Sequence, residues 1–345
     1  MPSISQAQQE HGPAEHWVES LDQALAAAPV ATVRRSEAPA HLLGRPTIAR
    51  LLRCAVEEWM LLGALWGLMF LGPMWLYPVL ALLVAGRLHA LGVILHDVAH
   101  MPLRSKGLAV RALEILAGYP IATTIDAMRY HHLRHHRDNG MATDPYFKAG
   151  AEERSGLRFL LWIRGVVLIP FWTIRTLVGL VASMVPPVRP FYARIFLQDR
   201  SGEDLRDSKE VLRCAQEDLG QLLFQLALIA LWIRFPNPVL YGYVIPVIIT
   251  GLLSSNRVLA EHIYHPVADR RTETQFVITR DHGLGLIGTL FLAPRNIGFH
   301  IVHHLHPQVS FEHLPALRAW YMQRYPDIYP HSGRKLANSS SGTTT

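Results

Sequence analysis

WMLLGALWGLMFLGPMWLYPVLALLVAGRLHALGVILHDVAH, residues Trp59 to His100, decides the fold. From Trp59 to Leu95 it carries one charged side chain, Arg87. One bilayer crossing takes about 20 apolar residues, so this run is too long to cross once, and a buried pair of soluble helices seldom needs so long a charge-free run. It must fold back, and Gly72-Pro73 is the turn signal near its middle. Its far end delivers His96 and His100, spaced i, i+4 on one helical face. A second run, Leu219 to Ser255, repeats the pattern, with Arg234 its one charge and Pro236-Asn237-Pro238 at its turn. The sequence predicts an all-α integral membrane protein with four transmembrane helices in two hairpins and a helical cap.

Heights link the two runs. At about 1.5 Å per residue, His96 and His100 lie roughly 35 to 41 Å from the first turn, and His262 lies about 38 Å from the second. With a hydrocarbon core of about 30 Å, all three emerge beyond the far membrane face. The same face receives the basic remainder. Arg34, Arg35, Arg45, Arg50 and Arg53 precede the first hairpin and many more cations lie between and after the hairpins, whereas Arg234 alone is near the opposite turns. The positive-inside rule then puts both termini and the cap in the cytoplasm. The net charge of +6 describes a cap facing a membrane surface. No basic run with interleaved aromatics points to nucleic acid.

Nine histidines form four clusters: His96/His100, His132/His135/His136, His262, and His300/His303/His304. A closed zinc site takes four ligands and a catalytic one three, while two adjacent six-coordinate ions can use all nine. The two cysteines, Cys54 and Cys214, form no CxxC pair and hold neither a disulfide framework nor a thiolate cluster. Asp97, Asp138, Asp144 and Glu261 lie beside the clusters as candidates to orient the rings, since ligating histidines usually donate their second N–H to a carboxylate or carbonyl. Helix capping or surface solvation is the plainer role for each. Arg134 and Arg137 are placed to pair with these carboxylates or with phosphate.

His96-Asp-Val-Ala-His100, His132-Leu-Arg-His135-His136 and Asn296-Ile-Gly-Phe-His300-Ile-Val-His303-His304 resemble the three histidine boxes of the membrane fatty acid desaturase and hydroxylase superfamily, and Arg257-Val-Leu-Ala-Glu261-His262 is similar to its extra histidine element. The resemblance runs from about residue 50 to 328. It implies a mushroom-shaped helical, non-haem di-iron oxidoreductase that uses O2. It also implies metal binding by His96, His100, His132, His135, His136, His262, His300, His303 and His304, with Asn296 near one iron and His131 a spare. The implied reaction is fatty acyl desaturation. Within the family, hydroxylation, ketolation or oxidative decarboxylation to a terminal alkene are the alternatives; a zinc-dependent membrane hydrolase is a distant one. No fused haem element, iron–sulfur ligand set or dinucleotide fingerprint is present, so electrons must come from a separate ferredoxin, rubredoxin or cytochrome.

Three further expectations complete the reading. Residues 1–45 form an N-terminal cytoplasmic segment, with an amphipathic helix over Trp17–Val30 and no cleavable signal peptide; 46–331 form the desaturase-like domain; 332–345 form a disordered tail. Arg164, Pro170 and Arg175 make Arg158–Met184 an interfacial helix pair, because each arginine would cost about 2.5 to 3.5 kcal/mol near the membrane centre, and Leu108–Ile121 re-enters or packs beneath the cap. Arg87, level with Glu58 across the first turn, pairs with it.

Overall fold

The computed structural model describes residues 33–103, 105–326 and 328–329. The Trp17–Val30 helix and the tail from Ser332 lie outside the described residues. The Thr47 hydroxyl accepts from the Arg50 N–H at 3.3 Å and starts α1, Ile48–Leu71. Leu51, Cys54, Ala55, Glu58 and Leu62 are its buried stripe, at the spacing of one helical face. The turn at Gly72 brings Leu68 O to within 2.4 Å of where a Cβ would sit, so a side chain there would force the helix end open. Pro73 stops the helix, and α2, Tyr77–Ala99, returns, buried almost all round from Leu80 to Ala99. Glu58 meets Arg87 at 3.3 Å, as their equal distance from the turn predicts. Glu58 also takes Arg295 at 2.8 Å, and Arg87 donates to Leu290 O at 2.8 Å.

After α2, Leu108–Ile121 begins with α3, Leu108–Leu113, and is bent by 76° against α4, Ile125–Asp138. Three π-helical turns, Glu114–Gly118, Leu240–Val244 and Gly288–Leu292, interrupt the helices. Such turns can free carbonyls from the regular ladder, and two tryptophans of α1 donate to carbonyls inside two of them. Trp59 Nε1 donates to Leu116 O at 2.9 Å and Trp66 Nε1 to Gly242 O at 2.8 Å.

Among the described residues four helices are long and apolar enough to cross a membrane, Ile48–Leu71, Met74–Ala99, Ser155–Met184 and Pro236–Glu261, or five if the bent pair Leu108–Ile121 and Ile125–Asp138 is one span. The number matches the sequence reading but the set does not. The segment read as interfacial is a bent rod of α5, Ser155–Ile163, a tight turn Arg164–Val167 and α6, Leu168–Met184. It packs along α8, Lys209–Arg234, reached through α7, Arg189–Phe196. The second apolar run therefore does not close on itself as the first does. Its first leg in α8 runs beside α6, and its second, α9 at Ile245–Glu261, runs beside α2 and the Arg164–Val167 turn. Gly165 and Gly251 make that crossing possible, since a Cβ on Gly251 would sit 2.1 Å from Gly165 O.

The cost that argued against inserting Arg175 is met from α8. Its guanidinium donates to Asp218 at 3.0 Å and to Ala122 O at 3.4 Å, and Tyr192 OH donates to the same carboxylate at 2.7 Å. Paired and hydrogen-bonded, a buried charge loses most of its desolvation penalty.

Candidate metal centre

Four segments carry the nine rings to one place. His96 is on the last turn of α2 and His100 caps its end. The box of His132, His135 and His136 rides on α4, whose start is fixed twice: the Ala127 N–H donates to Thr124 Oγ1 at 3.2 Å and the Ile125 N–H to Glu114 at 2.7 Å. His262 leaves the end of α9 extended and bridges to Thr279 beyond α10, Thr272–Ile278. The last three rings sit on α11, His300–Leu305. Its approach is a sharp turn in which Arg295 and Asn296 both take left-handed backbone, φ 55° and 61°, a conformation uncommon outside glycine. The salt bridge of Arg295 with Glu58 and a hydrogen bond from Asn296 to Phe311 O at 3.2 Å hold that turn. Asp281, which neither spacing nor motif had singled out, accepts from the Ile301 N–H at 3.1 Å and from Arg318 and Tyr329, both at 2.7 Å. α12, Leu314–Arg324, carries Arg318.

The ring nitrogens converge in two groups. His96, His100, His132, His136 and His303 form one, His135, His262, His300 and His304 the other, and within each the candidate ligand atoms all lie within 4.8 Å of one another. Residues four apart on a helix share a group: 96 with 100, 132 with 136, 300 with 304. The residues at the intervening i+3 place, His135 and His303, cross to the other group. The His136 and His304 rings stack with centroids 4.2 Å apart, so the groups are neighbours.

Hydrogen bonding alone does not account for this packing. His132 Nε2 lies 2.9 Å from His100 Nε2 and 3.0 Å from His136 Nε2, which lies 3.1 Å from His303 Nε2. A neutral imidazole nitrogen is either a donor or an acceptor, so such a chain leaves lone pairs facing lone pairs. Protonation is opposed. Burial first, then the neighbouring imidazoles, holds His132, His136, His300, His303 and His304 well below the ordinary value; burial pushes His262 to about 4. Deep in the site, His135 Nε2 has no hydrogen-bond partner. Imidazole nitrogens gathered about two points are the chemistry of a cation pair, and all-imidazole sets suit redox-active iron as well as zinc.

The four carboxylates beside the boxes have different partners. Asp144 accepts from His135 Nδ1 at 2.8 Å and from the backbone N–H groups of Gly140 and Tyr146 at 3.0 and 2.8 Å, which fixes the tautomer that leaves Nε2 bare toward the group. Glu261 lies 3.6 Å from His300 Nδ1 and 3.3 Å from His282 Nε2. Asp97 is 3.7 Å from His96 Nδ1 and accepts the Phe311 N–H at 3.1 Å. Asp138 has no hydrogen bond to a box histidine: it binds Arg137, Arg270 and Thr143, because the end of α4 turns it away from the rings. Arg134 pairs with Glu210 at 2.9 Å. His131 stands outside both groups and bonds Tyr146 OH at 2.7 Å, while that phenol ring stacks on His135 at 4.4 Å. Tyr146 and Asn139, whose amide is 3.4 Å from His304 Nδ1, are neighbours that the motif reading missed; both follow the second box closely in sequence.

A cavity of about 100 Å³ opens beside the first group, lined by His96, His132, Met128 and Trp172 with Lys148 and Arg164 at its polar side. A second, of about 50 Å³, shares His96, Met128 and Trp172 and continues along Gly92, Ile121 and Leu88. Leu88 also borders a larger apolar cavity of about 590 Å³ between Trp59, Trp66 and Phe224.

The sequence model of the fatty acid desaturase family, described as "Fatty acid desaturase", matches residues 37–334. No curated protein matches the chain.

Proposed function

The chain belongs to the fatty acid desaturase family, and from that premise we propose that it uses O2 to oxidise an unactivated C–H bond of a lipid chain at a pair of iron ions, by desaturating a fatty acyl chain. The observation that carries the reading is the convergence of nine imidazoles into groups of five and four. His96, His100, His132, His136 and His303 would hold one ion; His135, His262, His300 and His304 the other, with Asn296 approaching from its turn. Iron so held supplies the oxygen-derived oxidant that no side chain can provide. For desaturation, CH2–CH2 loses two hydrogens, and O2 with two electrons and two protons leaves as two waters. Those electrons come from a separate ferredoxin, rubredoxin or cytochrome docked on the basic cap, which with both termini faces the cytoplasm.

The chain's own side chains do the positioning. Asp144 keeps the His135 proton on Nδ1 so that Nε2 stays a donor of electrons. Tyr146 braces the same ring from its face and keeps His131 turned away. Met128, Trp172, Ile121 and Leu88 give the narrow space beside the rings an apolar wall that suits a hydrocarbon. Purified protein reconstituted with iron and a donor is tested by gas chromatography and mass spectrometry of its lipid products. A product two hydrogens lighter is expected; inserted oxygen or a lost carbon would replace desaturation by another oxidation, and a zinc-only protein active in hydrolysis would end the oxidative reading.

A further inference from the structure

Most buried cations in this protein meet a carboxylate. Lys106 lies against Glu114, Asp126 and Glu217, Arg175 against Asp218, and Arg257 against Glu261 at 3.2 Å. Lys148 and the exposed Arg164 are different. Lys148, half-buried in the loop after α4, donates to Pro145 O at 3.3 Å, and Arg164 sits at the break between α5 and α6. Among the described residues neither has a carboxylate partner. Burial and the nearby Arg164 and Arg200 push Lys148 down to about 7. A half-buried lysine with two arginines near it and only Asp144 acting the other way is an unfavourable state that an anion would relieve. Both line the cavity that His96 and His132 line, together with Gln198, held at a left-handed φ of 56°.

Resting on the proposed oxidation of a lipid chain, we infer that Lys148 and Arg164 bind the free carboxylate of a fatty acid, so that the carbons oxidised lie toward its carboxyl end. The space is small, about 100 Å³, and Leu259 and Tyr264 wall it, which suits a carboxylate better than the phosphates of a carrier. The hydrocarbon then passes His96, Met128 and Trp172 into the apolar cavity ending at Leu88. One cavity width separates the anionic end from the imidazoles, so a carboxylate-anchored chain presents its near carbons to them.

Binding is measured apart from turnover, with radiolabelled palmitate, its methyl ester and palmitoyl-CoA on the iron-loaded protein in nanodiscs. Palmitate is expected to bind at least about tenfold more tightly than the ester. Lys148→Met should lose about tenfold in palmitate affinity and Lys148→Met with Arg164→Met more, the value of a charge-assisted hydrogen bond. Lys148→Arg should recover most of it, and ester binding should not change. Iron content and thermal midpoint confirm that the variants fold. Equal binding of acid and ester, or palmitate binding indifferent to the variants, overturns the inference; palmitoyl-CoA bound in preference and lost in the same variants moves the anion to a carrier phosphate and overturns it too. Product from palmitate should carry its change in the carboxyl half, and a change confined to the methyl half refutes the placement. A protein that binds palmitate as described yet oxidises nothing would contradict the oxidative function and leave the carboxylate site standing.

Discussion

The cluster of Arg175, Asp218 and Tyr192 and the cluster of nine histidines are both buried between helices, yet only the first is complete. Around Asp218 the guanidinium and the phenol supply donors to the carboxylate. Around the histidines, Nε2 atoms face each other at 2.9 to 3.3 Å and His135 Nε2 has no hydrogen-bond partner. Folding alone favours satisfied groups, so the first cluster explains itself as architecture. The second has the geometry of the proposed metal pair.

The sharpest way to break that distinction is to delete one ring. His303→Ala should bring turnover to background and cut the iron bound per chain by about half or more, read by elemental analysis, while the thermal midpoint of the metal-free protein hardly moves. Should metal-free protein lose as much stability as activity, the histidines are architecture after all. Arg175→Met should do the reverse. Leaving Asp218 buried and unpaired costs about 3–5 kcal/mol, measured by thermal or denaturant unfolding, and adding Asp218→Leu should return most of it while iron content stays at the wild-type level. Asp144→Asn is smaller again: the orienting partner of His135 is weakened, and iron affinity or activity should fall about 10 to 100-fold with little change in unfolding.

The effect that pH reads belongs to Lys148, whose value near 7 lies below that of an unfolded lysine. Between that value and the unfolded one the unfolded chain binds more protons, so stability of the substrate-free protein should rise as pH climbs from 7 toward 10. Below pH 7 both states are protonated and the penalty is fully present. Lys148→Met should flatten this profile, and an unchanged profile would mean that the ammonium is not desolvated.

What could be read in the sequence was whatever local spacing determines. Gly72-Pro73 marks its own turn, and Arg87 inside an apolar helix needs a partner at its own height, which is Glu58. The nine rings were legible because i, i+4 places a pair on one face. Their division into five and four was not, since His132, His135 and His136 share that face and only packing against α2 and α11 sorts them. The pairing of Arg175 was not legible for a related reason. Its partner stands on another helix, across α7 and a loop, and a charge counted alone looks more costly than a charge in a pair. Asp138 shows the converse: adjacency to a box in sequence says nothing of where a carboxylate points once the helix ends.

Because His135 and His303 trade sides, no box serves one ion by itself. Each position would be tied to three stretches of chain, and the second and third boxes would each be tied to both positions. Filling the site would therefore lace the ends of α2, α4, α9 and α11 into a single knot, so that maturation of the cap and acquisition of its ions become one cooperative event, and a half-loaded chain would be a loosened one.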